Sequence, residues 1–187
     1  EQKNFNCPNS RSFRELNESA DFAFEVSSEG ELEQVLPIIN SLIKKRKKIE
    51  LLICSPSVEN RAKELCESNH EFLRFLRLPL LTYFFRATSF LQSQNIKSWL
   101  TSKKLTLCRY DFFPELLDYG INCEKFYLVN ASLINSDENN FLSKSVKKFF
   151  QKKFYHIFDL VVVPGEADKI RFNSIYNKEL IHCDLRI

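Results

Sequence analysis

The feature that most constrains this chain is an alternation. Short apolar runs and stretches with apolar residues at helical spacing succeed one another about six times between residues 22 and 183. FAFEV (22–26), IELLIC (49–54), KLTLCRY (104–110), KFYLVN (125–130), DLVVV (159–163) and ELIHC (179–183) read as strands. IELLIC is nearly all apolar, as expected of a parallel strand buried on both faces. FLRFLRLPL is ambiguous and leaves room for a short strand ending at Pro79. Between the runs, GELEQVLPIINSLIKKRKK places Leu32, Val35, Leu36, Ile39, Leu42 and Ile43 on one helical face and ends in cations that suit a helix C-terminus. Pro37 inside it predicts a kink or a restart. SVENRAKELCES, TYFFRATSFLQSQN, FPELLDYG, NNFLSKSVKKFFQKKFYHI and GEADKIRFNSI read as further helices. The alternation predicts an α/β fold: a Rossmann-like, doubly wound, mostly parallel sheet with helices on both faces. Residues 1–20 are polar and aperiodic and read as a lead-in; 21–187 form one domain.

Several classes fall away. Apolar residues make 44% of the chain, enough for a real core. No run approaches the roughly 18 apolar residues of a spanning helix. A net charge of +3 is too mild to imply nucleic acid. The basic residues cluster at Lys44–Lys48 and along Lys144, Lys147, Lys148, Lys152 and Lys153, where solvated helix surface and anion contact are both open. The cysteines lack C-x-x-C or zinc spacing, so no metal is expected. Cys54, Cys108 and Cys183 lie in or at the end of strand runs as small buried hydrophobes, which points to reduced thiols in a cytoplasmic setting. The dinucleotide, P-loop and nucleophile-elbow motifs are absent, and His70, His156 and His182 are scattered. Of the three glycines, Gly120 ends PELLDYG, where a left-handed cap is expected. Gly30 and Gly165 follow strand runs.

Ligands of doubly wound sheets bind beyond the carboxyl ends of the strands. That directs attention to Ser28–Glu31, Ser55–Ser57, Arg109–Phe113, Asn130–Ser132 and Pro164–Glu166. Glu31 stands at the start of a helix, where the macrodipole favours a charged carboxylate ready to accept a proton. Ser28-Glu29-Gly30-Glu31 is equally an S-x-x-E capping box, with Glu31 reaching back to the Ser28 N–H. The local pattern leaves both roles open.

In order along the chain, several segments resemble those of the Kdo transferases (lipopolysaccharide 3-deoxy-manno-octulosonic acid transferases). VSSEGELEQVLPIINSL is similar to a segment of that family reading A-S-V-G-E-V followed by L-P-L-I, through Gly30, Glu31, Leu36 and Pro37. CSPSVENRAKEL resembles T-T-P-T-G-x-x-R-A through Pro56, Ser57, Arg61 and Ala62, and RLPL resembles Y-L-P-L-D. RYDFFPELL resembles E-T-E-L-W-P-N-L through Asp111, Phe113 and Pro114. YLVNASL is similar to L-V-N-A-R-L, FDLVVVPGEADKIRF to F-D-L-V-L-A-Q-S-E-E-D-A-x-R-F, and HCDLRI to G-N-L-K-F. The likeness runs from about residue 20 to the end.

The resemblance implies the acceptor-binding N-terminal half of a GT-B glycosyltransferase, moving Kdo from CMP-Kdo to a lipid A-type acceptor. Glu31 falls on the family's catalytic base. Acceptor contacts are expected from Ser28, Gly30, Ser57, Arg61, Asp111 and Asn130, with Arg61 and the lysines of helix 141–155 facing acceptor phosphates. No metal or cofactor is implied; CMP-Kdo would bind a C-terminal domain that this chain does not contain. The expected setting is the cytoplasmic face of the bacterial inner membrane, with a membrane surface as partner and no nucleic acid. A chain that starts at Glu1 and has no Met is expected to lack its natural start. Against the family pattern, Arg109 reverses the charge of a Glu, Asp111 shortens another, Phe113 replaces Trp, Val58 replaces Gly, and Pro164-Gly165 replaces Q-S. The alternative is a non-catalytic homologue binding an anionic glycolipid or a protein partner. Phe149, Phe150 and Phe154 are expected to face the core.

Overall fold

The computed structural model describes residues 12–78, 96–109, 112–133 and 149–185. Seven strands form one parallel sheet: β1 (Phe22–Val26), β2 (Ile49–Ile53), β3 (Leu73–Arg77), β4 (Lys104–Cys108), β5 (Lys125–Val129), β6 (Leu160–Val163) and β7 (Glu179–His182). The described helices are α1 (Glu29–Lys44), α2 (Glu59–Ser68), α3 (Pro114–Ile121) and α4 (Glu166–Asn173), with helical residues at 96–99 and 149–155. FLRFLRLPL thus contributes a strand. The helix expected at TYFFRATSFLQSQN and the start of the one expected at NNFLSKSVKKFF lie outside the described residues.

The spatial order is β3-β2-β1-β4-β5-β6-β7. The chain winds outward from β1 in one direction and, after β3, returns to lay β4 on the other side of β1. Right-handed crossovers on the two halves put their helices on opposite faces. The cores agree: Leu32, Val35 and Ile39 of α1 and Ala62 and Cys66 of α2 pack on Phe24, Val26, Ile49, Leu51 and Ile53. On the other face, Leu100, Leu116 of α3, Tyr155, Phe158 and Phe172 of α4 cover Ala23, Leu52, Leu105, Leu107, Phe126, Leu128 and Val161. The sheet is therefore a Rossmann-like, doubly wound one.

Several local expectations are corrected. α1 does not restart at Pro37 but continues through it as one helix; Pro37 lies on the exposed face, so water can satisfy the carbonyl one turn earlier that lacks its N–H partner. Gly120 is no left-handed cap, since no glycine has positive φ. It sits inside α3, buried, and a methyl there would overlap the Phe126 ring. Close approach, not backbone freedom, demands glycine. Cys54 and Cys108 are buried as expected, but Cys183 is exposed, because β7 is an edge strand with mostly exposed residues. Phe154 packs on the core, whereas Phe149 and Phe150 are exposed. The lead-in is partly docked: Phe13 is fully buried, with Lys48 Nζ 5.8 Å and the Arg74 guanidinium 5.4 Å from its ring centre.

A buried charge organises the amino edge. Glu50, the second residue of β2, has no exposed surface. Its carboxylate accepts hydrogen bonds from the Thr101 N–H (3.0 Å), the Thr101 hydroxyl (2.8 Å) and the Ser102 N–H (3.0 Å). Burial raises its pKa above the ordinary carboxylate value, against the pull of those hydrogen bonds. The folded chain therefore binds this proton more tightly than the unfolded chain. The Glu50 contribution to stability must fall as pH rises from about 4.5 through the raised value. Urea unfolding across that range should show this downward slope in the wild type and its loss in Glu50→Gln; identical slopes would contradict the assignment. Gly120→Ala should cost about 1–3 kcal/mol by overpacking against Phe126, despite alanine's better helix propensity, as measured by the same unfolding.

Candidate functional site

The reversal of winding lies between β1 and β4, and the crevice expected at such a point opens beyond their carboxyl ends. Glu25 pairs with Leu107 in the parallel register. Continuing it two residues sets Ser27 opposite Arg109, on strands about 5 Å apart.

On the β1 side, Ser28 is the N-cap of α1: its backbone is extended and its hydroxyl accepts the Glu31 N–H at 3.2 Å. Glu31 turns back to accept the Ser27 N–H at 2.8 Å. The capping box is thus real but shifted by one residue from the Ser28 N–H expected. Glu31 is only 6% exposed, held by a backbone donor at the exit of β1. Ser27 also donates its hydroxyl to Glu25 Oε1 at 2.9 Å, and the Cys54 thiol donates to the same oxygen at 3.3 Å. A chain of polar contacts therefore connects the buried Glu25 to Glu31 through one serine.

On the β4 side, Arg109 is left-handed, with φ 63°, and its N–H donates to Val129 O at 3.0 Å. Its guanidinium is in no ion pair among the described residues. A non-glycine residue in this conformation costs energy and recurs at functional sites. Asn130, at the exit of β5, is left-handed too, at φ 54°. It is buried, and its side-chain amide donates to Gln34 Oε1 of α1. Gln34 lies one turn beyond Glu31, so this bond ties the first turns of α1 to the β5 exit across the end of β4. Ser132 then donates to Asp168 Oδ1 at 2.9 Å in the first turn of α4.

The expected site residues therefore divide. Ser28, Glu31 and Asn130 gather at the carboxyl edge around the switch point. Gly30 is exposed in the first turn of α1 with nothing near its Cα that a side chain would meet. Ser57 is exposed in the 3-10 turn Pro56–Val58, which Ser55 caps. Arg61 is occupied: Glu33 of α1 takes its Nε at 3.3 Å and Glu64 its Nη1 at 3.1 Å. It clasps two helices, and those carboxylates raise its pKa. Asp111 lies outside the described residues. Sequence reasoning missed Gln34 and Glu25; the available signal for Glu25 was an acidic residue inside an otherwise apolar strand.

Among the described residues no cluster of three His, Cys, Asp or Glu has metal-holding geometry, and no helix is long and apolar enough to cross a membrane. Two hollows, of about 210 and about 270 Å³, border Thr101 and Lys103 at the opposite, amino edge. No protein-family model matches the chain, and no curated protein matches it.

The Gln34–Asn130 clasp has a measurable energy. Asn130→Gly keeps the left-handed backbone and loses the bond, which should cost about 1–3 kcal/mol by stranding a buried acceptor. Asn130→Val should cost about 1–2 kcal/mol more, since a β-branched residue resists positive φ. Equal stability of the two variants would show that the backbone conformation carries no strain.

Proposed function

We propose that this chain is the acceptor-binding half of a glycosyltransferase similar to the Kdo transferases, with Glu31 as general base. The observation that carries the reading is the placement of a helix-start carboxylate at the exit of β1 and, at the exit of β4, a cation in no ion pair among the described residues, on either side of the switch point. In this scheme the Glu31 carboxylate accepts the proton of an acceptor sugar hydroxyl. The hydroxyl oxygen bonds to the anomeric carbon of Kdo in CMP-Kdo, and the bond from that carbon to the phosphate oxygen breaks, releasing CMP with its electron pair. The Ser27 N–H orients the carboxylate. Arg109 offers a guanidinium to an anionic group of a lipid A-type acceptor, a role that makes sense of the charge reversal at this position. The donor would be held by a separate domain.

A second reading has an observation of its own: Glu31 is 6% exposed and already accepts the Ser27 N–H. On that reading it only caps α1, and the domain recognises an anionic glycolipid without catalysis.

Glu31→Gln separates the two, because glutamine keeps a carbonyl oxygen for Ser27 and cannot take the proton. Assayed for Kdo transfer in the complete protein, it should lose about 10²–10⁴-fold in rate with an unchanged melting temperature. Undiminished transfer would reject the base assignment in favour of the cap.

A further inference from the structure

The helical residues 149–155 present two unlike faces. The inner face is closed: Phe154 stacks edge-on to Phe112 at 4.7 Å, and Tyr155 to Phe172 at 4.9 Å. The outer face carries Phe149 and Phe150, 58% and 66% exposed, with ring centres 6.0 Å apart. Neither ring is needed by the core. Lys152 and Lys153 are exposed beside them; Lys153 Nζ stands 5.9 Å from the Phe149 ring centre, and neither lysine is in an ion pair among the described residues. The sequence just ahead adds Lys144, Lys147 and Lys148, and no acidic residue occurs from 141 to 153.

Adjacent exposed aromatics ringed by cations of one sign have a specific physical use. Phenylalanine side chains enter the boundary between headgroups and acyl chains, while lysines meet anionic headgroups and keep their own hydration. An acidic protein would satisfy the lysines and leave the rings in water. Position supports the same occupant. This segment leads into β6 and so runs against the strands, which puts its first residues, 149 and 150, about 9 Å toward the carboxyl edge from residue 155. The aromatic pair thus lies toward the edge that carries Glu31 and Arg109.

We propose that Phe149, Phe150, Lys152 and Lys153 form a docking surface for an anionic lipid bilayer, lying on the membrane without crossing it. The inference extends the proposed function by naming the surface from which a lipid-borne ligand would be reached, but it stands on different residues.

Vesicle flotation tests it, with phosphatidylcholine alone and with phosphatidylcholine plus phosphatidylglycerol. The wild-type chain should float with the anionic vesicles. Phe149→Ser/Phe150→Ser and Lys152→Glu/Lys153→Glu should each bind roughly tenfold more weakly or worse, with unchanged circular dichroism. Trp99 is the sole tryptophan and is buried, so brominated lipid should leave wild-type fluorescence intact and quench Phe150→Trp. Wild-type failure to float, or equal flotation of the Phe double variant, would overturn the proposal. A vesicle-independent dimer that the Phe variant abolishes would do so too, assigning the patch to a second copy of the chain. These vesicles contain no sugar acceptor, and Glu31→Gln should float like wild type, so this test and that of the catalytic reading fail separately.

Discussion

The architecture depends on where the chain goes after β3, and one buried carboxylate fixes that. Glu50 of β2 reaches past β1 to hold the backbone of Thr101 and Ser102, just before β4 begins. Ala23 lies between, paired with Glu50 on one side and Leu105 on the other. Its small side chain leaves room for the carboxylate to pass over it. The same short segment gathers other ties: Thr101 Oγ1 accepts the Ala20 N–H at 2.8 Å, Ser102 O accepts the Tyr119 hydroxyl at 2.7 Å, and Leu100 O accepts from Arg14 at 2.7 Å. A desolvated charge with this many donors is expensive to misplace. These bonds tie the segment that leads into β4 to β2, across β1.

Once β4 is beside β1, the rest follows from handedness. The two halves wind apart, their helices take opposite faces, and the carboxyl ends where they part are the place at which such sheets hold ligands. The chain furnishes that end with strained and charged residues. Arg109 and Asn130 adopt left-handed conformations at successive strand exits, Glu31 is clasped to Ser27, and Gln34 ties α1 to Asn130. The amino edge carries the buried Glu50, and the carboxyl edge carries Glu31, Arg109 and Asn130.

Much of the fold was legible because strands buried on both faces leave a plain signature. IELLI and LVVV have few other readings, and alternation with helices dictates a parallel sheet. What was not legible was contact at a distance. Gly120 looked like a helix stop because its local setting allows one; its true reason, the Phe126 ring, comes from the neighbouring strand. Phe149 and Phe150 fit a helical stripe, but a stripe by itself cannot say which part of it the sheet will cover. The site was legible in part for the same reason. Ser28 and Glu31 form a local motif and were found. The Gln34–Asn130 bond joins positions far apart in sequence, and Arg61 resembled a phosphate ligand until Glu33 and Glu64 were seen to hold it.

The central claim is that ligand is bound at the carboxyl edge, around the β1–β4 switch point. Amide chemical-shift mapping of the chain with a phosphorylated glucosamine disaccharide, the water-soluble headgroup of a lipid A-type acceptor, tests it most directly. Saturable shifts at Ser27, Ser28, Arg109 and Asn130 are the predicted result. Shifts confined to Thr101, Lys103 and Lys104, beside the hollows of the amino edge, or no shifts at all, would contradict it.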